Sequence, residues 1–198
     1  TGLKKAESGT VTILGRDAFN VTPKQSFDMG ITSIPEDRQK HGLVLDFSVA
    51  ENLILQNFEN EPFSKNGILN EKNIESHANK LIEKFDIRPK DSAKKAAKTL
   101  SGGNQQKVII ARWLANNPDV LIMDEPTRGI DIGAKYEIYQ IMINLAKQGK
   151  GIIMISSEMP ELIGMSDRII VMCNGEITGE VSESEATQEN IMSLATKF

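Results

Sequence analysis

A single cysteine, Cys173, leaves no partner for an internal disulfide and fits a reducing compartment. Long apolar runs are missing too. A stretch such as residues 169–173 reaches about a quarter of the ~20 residues that cross a bilayer, which excludes a transmembrane helix. No secretory or twin-arginine segment opens the chain, so a cytoplasmic address is expected. An excess of positive charge is lacking as well: 23 Lys and Arg face 27 Asp and Glu, a net charge of −4 that suits nucleic acid poorly. The only histidines, His41 and His77, lie far apart without cysteine neighbours and make no metal site. What remains is an ordinary globular composition, 39% hydrophobic and 25% charged over 198 residues, enough for one core with an inserted subdomain.

Alternation over residues 10–14 predicts a strand, and residues 31–34 predict a second, stopped by Pro35. Helical spacing begins near Val49. It is clearest after Asn70, a candidate N-cap, where Ile74, Ala78, Leu81, Ile82 and Phe85 share one face. Residues 60–67 have turn composition, and residues 88–98, with Lys90, Lys94, Lys95 and Lys98, read as a solvated helix surface. Beyond residue 100, helices over 104–115 and 133–148 alternate with buried strands over 120–123, 152–155 and 169–172. Continuous apolar strands of this kind predict a parallel sheet covered on both faces. Asn174-Gly175 signals a hairpin returning through 176–181, and a helix near 187–196 closes the chain. Met123, Met154 and Met172 read as core filler, and Trp113 is expected to pack near Ile109 on one helix.

Chemistry concentrates in two places. Val120-Leu121-Ile122-Met123 delivers Asp124 and Glu125 to the carboxyl end of a strand, where open α/β sheets bind ligands. Adjacent carboxylates there invite a cation such as Mg²⁺, held by Asp124, with Glu125 orienting or deprotonating a water; the plainer reading is an acidic pair capping the next helix. Leu100-Ser101-Gly102-Gly103-Asn104-Gln105-Gln106-Lys107 places a capping serine and two glycines at a helix start, where exposed N–H groups suit phosphate. An ordinary serine cap on a glycine turn is the alternative.

Together these segments resemble the signature loop and the Walker B strand of ATP-binding cassette (ABC) proteins, with Arg128-Gly129-Ile130-Asp131 similar to their D-loop. Pro35-Glu36-Asp37-Arg38 and Ser156-Ser157-Glu158-Met159-Pro160-Glu161 narrow the likeness to the second cassette of tandem sugar importers of the ribose, galactose and xylose type. The resemblance implies an α/β, P-loop-NTPase-type core with a mostly parallel sheet and an inserted helical subdomain. Residues 1–35 would belong to the core, 36–105 to the helical subdomain ending in the signature loop, and 106–198 to the core with its switch region. It implies ATP and Mg²⁺ as cofactors. Ser101, Gly102, Gly103, Asn104, Gln105 and Asp131 would meet nucleotide, Asp124 and Glu36 the metal, and Glu125 and Ser157 would be catalytic.

The sequence contains no G-x-x-x-x-G-K-[ST], the loop whose amides and lysine cradle phosphates, so the P-loop part of a cassette is expected ahead of residue 1. Glu36 stands where most cassettes carry glutamine, Ser157 where most carry histidine, and Asn104 where the signature usually has glutamine. Cassettes pair head to tail, so the signature residues are expected to serve ATP on a partner, either a first cassette of the same subunit or a second copy. A membrane permease would dock around residues 36–51 at the cytoplasmic membrane face, with a sugar-binding protein engaged indirectly and no nucleic acid. A non-hydrolysing regulatory or assembly module of the same transporter is the rival reading.

Overall fold

The computed structural model describes residues 1–197, which divide into two compact units after Ile153. The first unit opens with a small hairpin, β1 (Thr12–Ile13) and β2 (Arg16–Asp17). The single strand expected over 10–14 is interrupted because Leu14 and Gly15 both take positive φ and turn the chain back. Helix α1 (Pro23–Asp28) escaped the sequence reading, although Thr22 and Gln25 form a reciprocal capping box around Pro23. Strand β3 (Ile31–Ile34) follows, then a wide turn over Arg38–Gly42, and α2 (Val49–Leu53), capped by Ser48 and Glu51. The turn residues expected near 60–67 make a second hairpin, β4 (Ser64–Lys65) and β5 (Ile68–Leu69), with Asn66 and Gly67 at positive φ.

Helix α3 (Glu71–Lys84) starts at the predicted cap: the Asn70 side chain accepts from the N–H of Asn73, and Ile74, Ala78, Leu81 and Ile82 are buried. The run from 88 to 98 is not the solvated helix expected of it. Its backbone bonds to a neighbouring segment instead: Val49 N–H donates to the Lys95 carbonyl (2.9 Å), Ala97 N–H to Phe47 (2.9 Å) and Lys98 N–H to Leu45 (3.0 Å). Two short 3₁₀ turns result, and Lys90, Lys95 and Lys98 pair with Asp86, Asp91 and Asp46.

Helix α4 (Gly102–Leu114) is the core of this unit, with Val108, Ile109, Ile110 and Ala111 fully buried. Trp113 lies beside Phe27, with tilted rings and centroids 6.1 Å apart, and under the Arg112 guanidinium of its own helix. Strand β6 (Val120–Asp124) lies between β3 and β7 (Gly151–Ile155), and helix α5 (Ile132–Lys147) connects β6 to β7. β3 and β6 run parallel, with Ile31 opposite Val120 and Ile34 opposite Met123. Leu121 and Met123 are buried, but Ile153 and Ile155 stay about half exposed, so the expected double coverage does not extend along β7 among the described residues.

The second unit pairs β8 (Arg168–Cys173) with β9 (Glu176–Ser182) in the predicted hairpin, Asn174 and Gly175 both at positive φ. Helices α6 (Met159–Met165) and α7 (Gln188–Ala195) complete it, α7 capped by Thr187. Its core is Ile169, Val171, Val181 and Ile191. Met172 points the other way and is 61% exposed, because alternate residues of a strand face opposite sides; it is not core filler.

Candidate functional site

The parallel register of β3 and β6 brings Glu36 and the Asp124-Glu125 pair to one edge of the sheet, its carboxyl end. Burial, then repulsion from Glu36 and from Glu125, pushes the Asp124 carboxyl above its ordinary value of 3.8. Glu125 has φ +46, a left-handed backbone that a non-glycine residue adopts at a cost of roughly 1–3 kcal/mol and that is concentrated at functional sites. The turn it begins is closed by Arg128 N–H on the Glu125 carbonyl (3.2 Å). Arg128 in turn forms an ion pair with Glu36.

This carboxylate set suits a cation, whose charge would offset the burial and the repulsion that together raise Asp124. Among the described residues no three His, Cys, Asp or Glu side chains form a ready-made metal cage. An ion held by Asp124 and Glu36 would draw its other oxygens from phosphate and water, as Mg²⁺ does. The raised folded-state value has a thermodynamic consequence. Stability is lost as pH rises from the unfolded aspartate value through the higher folded one. Asp124→Asn is therefore expected to raise the melting temperature at pH 7, with the gain shrinking as pH falls toward 3.8. Thermal melts across that range check it, and no gain at neutral pH would contradict the cost of burying this carboxylate beside Glu36 and Glu125.

Ser101 caps α4. Its Oγ accepts the side-chain amide of Asn104 at 2.9 Å and more weakly the Asn104 N–H at 3.5 Å. The Asn104 amide oxygen accepts the N–H of Arg88 (2.7 Å), so Asn104 is oriented from both ends. Gly103 packs directly on α5: a Cβ there would stand 2.4 Å from Cβ of Ala134. Gln105, expected at the nucleotide, instead turns inward; it is 4% exposed and its Nε2 donates to the Ala97 carbonyl at 3.2 Å. Helical geometry explains this, since successive residues diverge by about 100° around the axis. Asp131 is exposed and caps α5, accepting from the N–H of Ala134 (2.9 Å).

Ser157 is exposed in the second unit, just ahead of α6. Its neighbour Ser156 donates to Glu161 and accepts the N–H of Glu158 (3.0 Å). The sequence reading did not single out Arg38, whose guanidinium donates to the carbonyls of Arg128 (2.8 Å) and Gly129 (3.4 Å), or Lys107, whose ammonium is buried between the Asp86 carbonyl and Glu137. In the structure Gly102 and Gly129 lie beside the Arg38 guanidinium, where added Cβ atoms would stand 3.0 and 3.7 Å from its Nη2.

This arrangement is that of an ATP-binding cassette, and comparison with known proteins agrees. The ABC transporter family profile matches residues 1–128. The galactose/methyl galactoside import ATP-binding protein MglA of Clostridium tetani is 49% identical over 197 residues, covering 100% of this chain. The ribose import ATP-binding protein RbsA of Lactococcus lactis is 46% identical over 195 residues, covering 98% of it. The chain spans 39% of the length of each of these curated relatives. Among solved structures, a nucleotide-free ATP-binding cassette from an ABC transporter superposes with a TM-score of 0.79 at 26% identity, over 97% of this chain and 76% of the other. The ADP conformation of MJ1267, another such cassette, gives 0.79 at 25% identity, over 98% and 79%. The chain belongs to the ABC transporter family.

Proposed function

We propose that this chain is a nucleotide-binding part of an importer of a simple sugar, and that its signature loop acts on ATP held by a partner cassette. The observation that carries the reading is the state of Ser101. Its oxygen accepts from the Asn104 side chain, it is exposed, and it sits at the positive end of α4, so its hydroxyl hydrogen is available to an anion. Gly102 leaves backbone N–H groups unobstructed beside it. The relatives named for galactose and ribose import support the sugar class.

Within that reading, residues 36–105 form the helical subdomain between core segments 1–35 and 106–198; α2 and α3 pack on each other and on the turn at Ser92–Lys94. Asp124 and Glu36 would hold Mg²⁺, which neutralises phosphate charge when bound. Glu125 orients or deprotonates a water at the weaker site that these carboxylates form. Ser157 offers a hydroxyl hydrogen bond where a histidine would offer a cationic one. Gly102, Gly103, Asn104 and Asp131 shape the surface presented to the partner's nucleotide. The partner is a first cassette of the same subunit or a second copy, and both work with a permease at the cytoplasmic face of the plasma membrane and, through it, a sugar-binding protein.

The engagement of Glu36 by Arg128 favours one rival, a module that regulates or assembles the transporter without hydrolysing ATP. Adding this chain to the partner cassette separates the two. A several-fold rise in ATP turnover supports a signature donor, and binding without stimulation supports the rival.

A further inference from the structure

We infer that Arg38 is a positioning residue that fixes the first turn of α4 against the loop following Glu125. The inference rests on the proposed role of that first turn at a partner's nucleotide. Its backbone is held first. The Asp37 side chain accepts from the N–H groups of Gln39 (3.0 Å) and Lys40 (2.9 Å), and Leu43 N–H closes the turn on the Arg38 carbonyl (2.8 Å). The end of that turn is locked to the second half of α4: the Gly42 carbonyl accepts from Arg112 (2.6 Å), and a Cβ at Gly42 would stand 2.6 Å from Ile109.

From this fixed root the guanidinium reaches the other two segments. Nη1 and Nη2 donate to the successive carbonyls of Arg128 and Gly129, a use of the planar fork that no lysine reproduces. On its other side lies Gly102, where a Cβ would stand 3.0 Å from Nη2 and 3.5 Å from Cζ. The guanidinium therefore fills the space between the two glycines. It ties the body of α4, the start of α4 and the loop leading to Asp131 into one rigid arrangement. Room for Arg38 is thus the steric reason for glycine at position 102.

The test is ATP turnover of the assembled importer carrying this chain. Arg38→Ala is expected to lower kcat at least tenfold while KM for ATP and the melting temperature stay near wild type. Arg38→Lys, with one donor group in place of a fork, should recover part of the loss. Gly102→Ala should lower kcat on its own yet add little in the Arg38→Ala background, because the new methyl then enters vacated space. Amide hydrogen exchange on the same variants supplies a readout independent of turnover: residues 101–104 and 128–131 should exchange faster in Arg38→Ala, and residues 168–182 should not. Unchanged kcat, a loss carried by KM, or additive losses in the double variant would overturn the inference. Ser101→Glu run in parallel separates the two levels. If it abolishes turnover while Arg38→Ala does not, only the positioning role fails; if it leaves turnover intact, the signature reading and this inference fall together.

Discussion

Ser101→Glu in the assembled importer is expected to lower ATP turnover by about 10²-fold or more, and Glu125→Gln in the same chain by far less. The first figure follows from the loss of one preorganised donor to a reacting phosphate, worth ~10²–10³-fold, with the repulsion of a new carboxylate added to it. The smaller second effect follows from the division of labour. If the productive nucleotide belongs to the partner, Glu125 serves only the weaker site beside Asp124 and Glu36. Ser101→Asp controls for folding, because aspartate still caps a helix start; it should keep the melting temperature and lose turnover. Steady-state hydrolysis of the variants measures the ranking. A larger loss in Glu125→Gln would move the productive site to this chain's own carboxylates.

Lys107→Ala is expected to destabilise the fold by about 3 kcal/mol, lowering the melting temperature by roughly 6–12 °C. The Lys107 side chain is 3% exposed, and its ammonium meets the Asp86 carbonyl and the Glu137 carboxylate, the latter at 2.9 Å. Truncation removes the apolar stem and leaves two acceptors facing a void. Glu137 is 39% exposed and regains water, which keeps the loss below that of a fully buried pair. Lys107→Met, which fills the volume without the charge, should cost less than Lys107→Ala, because an apolar isostere of a buried ion pair avoids its desolvation. Thermal or denaturant unfolding measures both. A loss under about 1 kcal/mol for Lys107→Ala would mean that the bridge between α4 and α5 contributes little.

Residues 120–125 and 100–107 made the site legible in the sequence because their chemistry is local. An apolar strand ending in carboxylates and a Ser-Gly-Gly helix start each carry their meaning within a few residues. The caps at Asn70 and Ser101 could be read for the same reason. What local pattern could not reveal was the destination of long-range bonds. The segment 88–98 has helical spacing of charge, yet its carbonyls and amides serve residues 45–49. Gln105 sits inside the signature string but follows the helix turn into the interior, and Arg38 gains its role only where residues 90 positions away supply the carbonyls. Met172 shows the limit of an unbroken apolar run, which does not say which alternate residues meet a core.

The measurement closest to the central claim is a calorimetric titration of Mg-ATP into this chain alone, into the partner cassette alone, and into the two together. A nucleotide site completed by Ser101, Gly102 and Gly103 from across an interface predicts no measurable heat with the chain alone. It predicts tighter binding by the pair than by the partner cassette, a gain abolished by Ser101→Glu. Micromolar binding by the isolated chain, indifferent to Ser101, would contradict it and place the nucleotide on other residues of this protein.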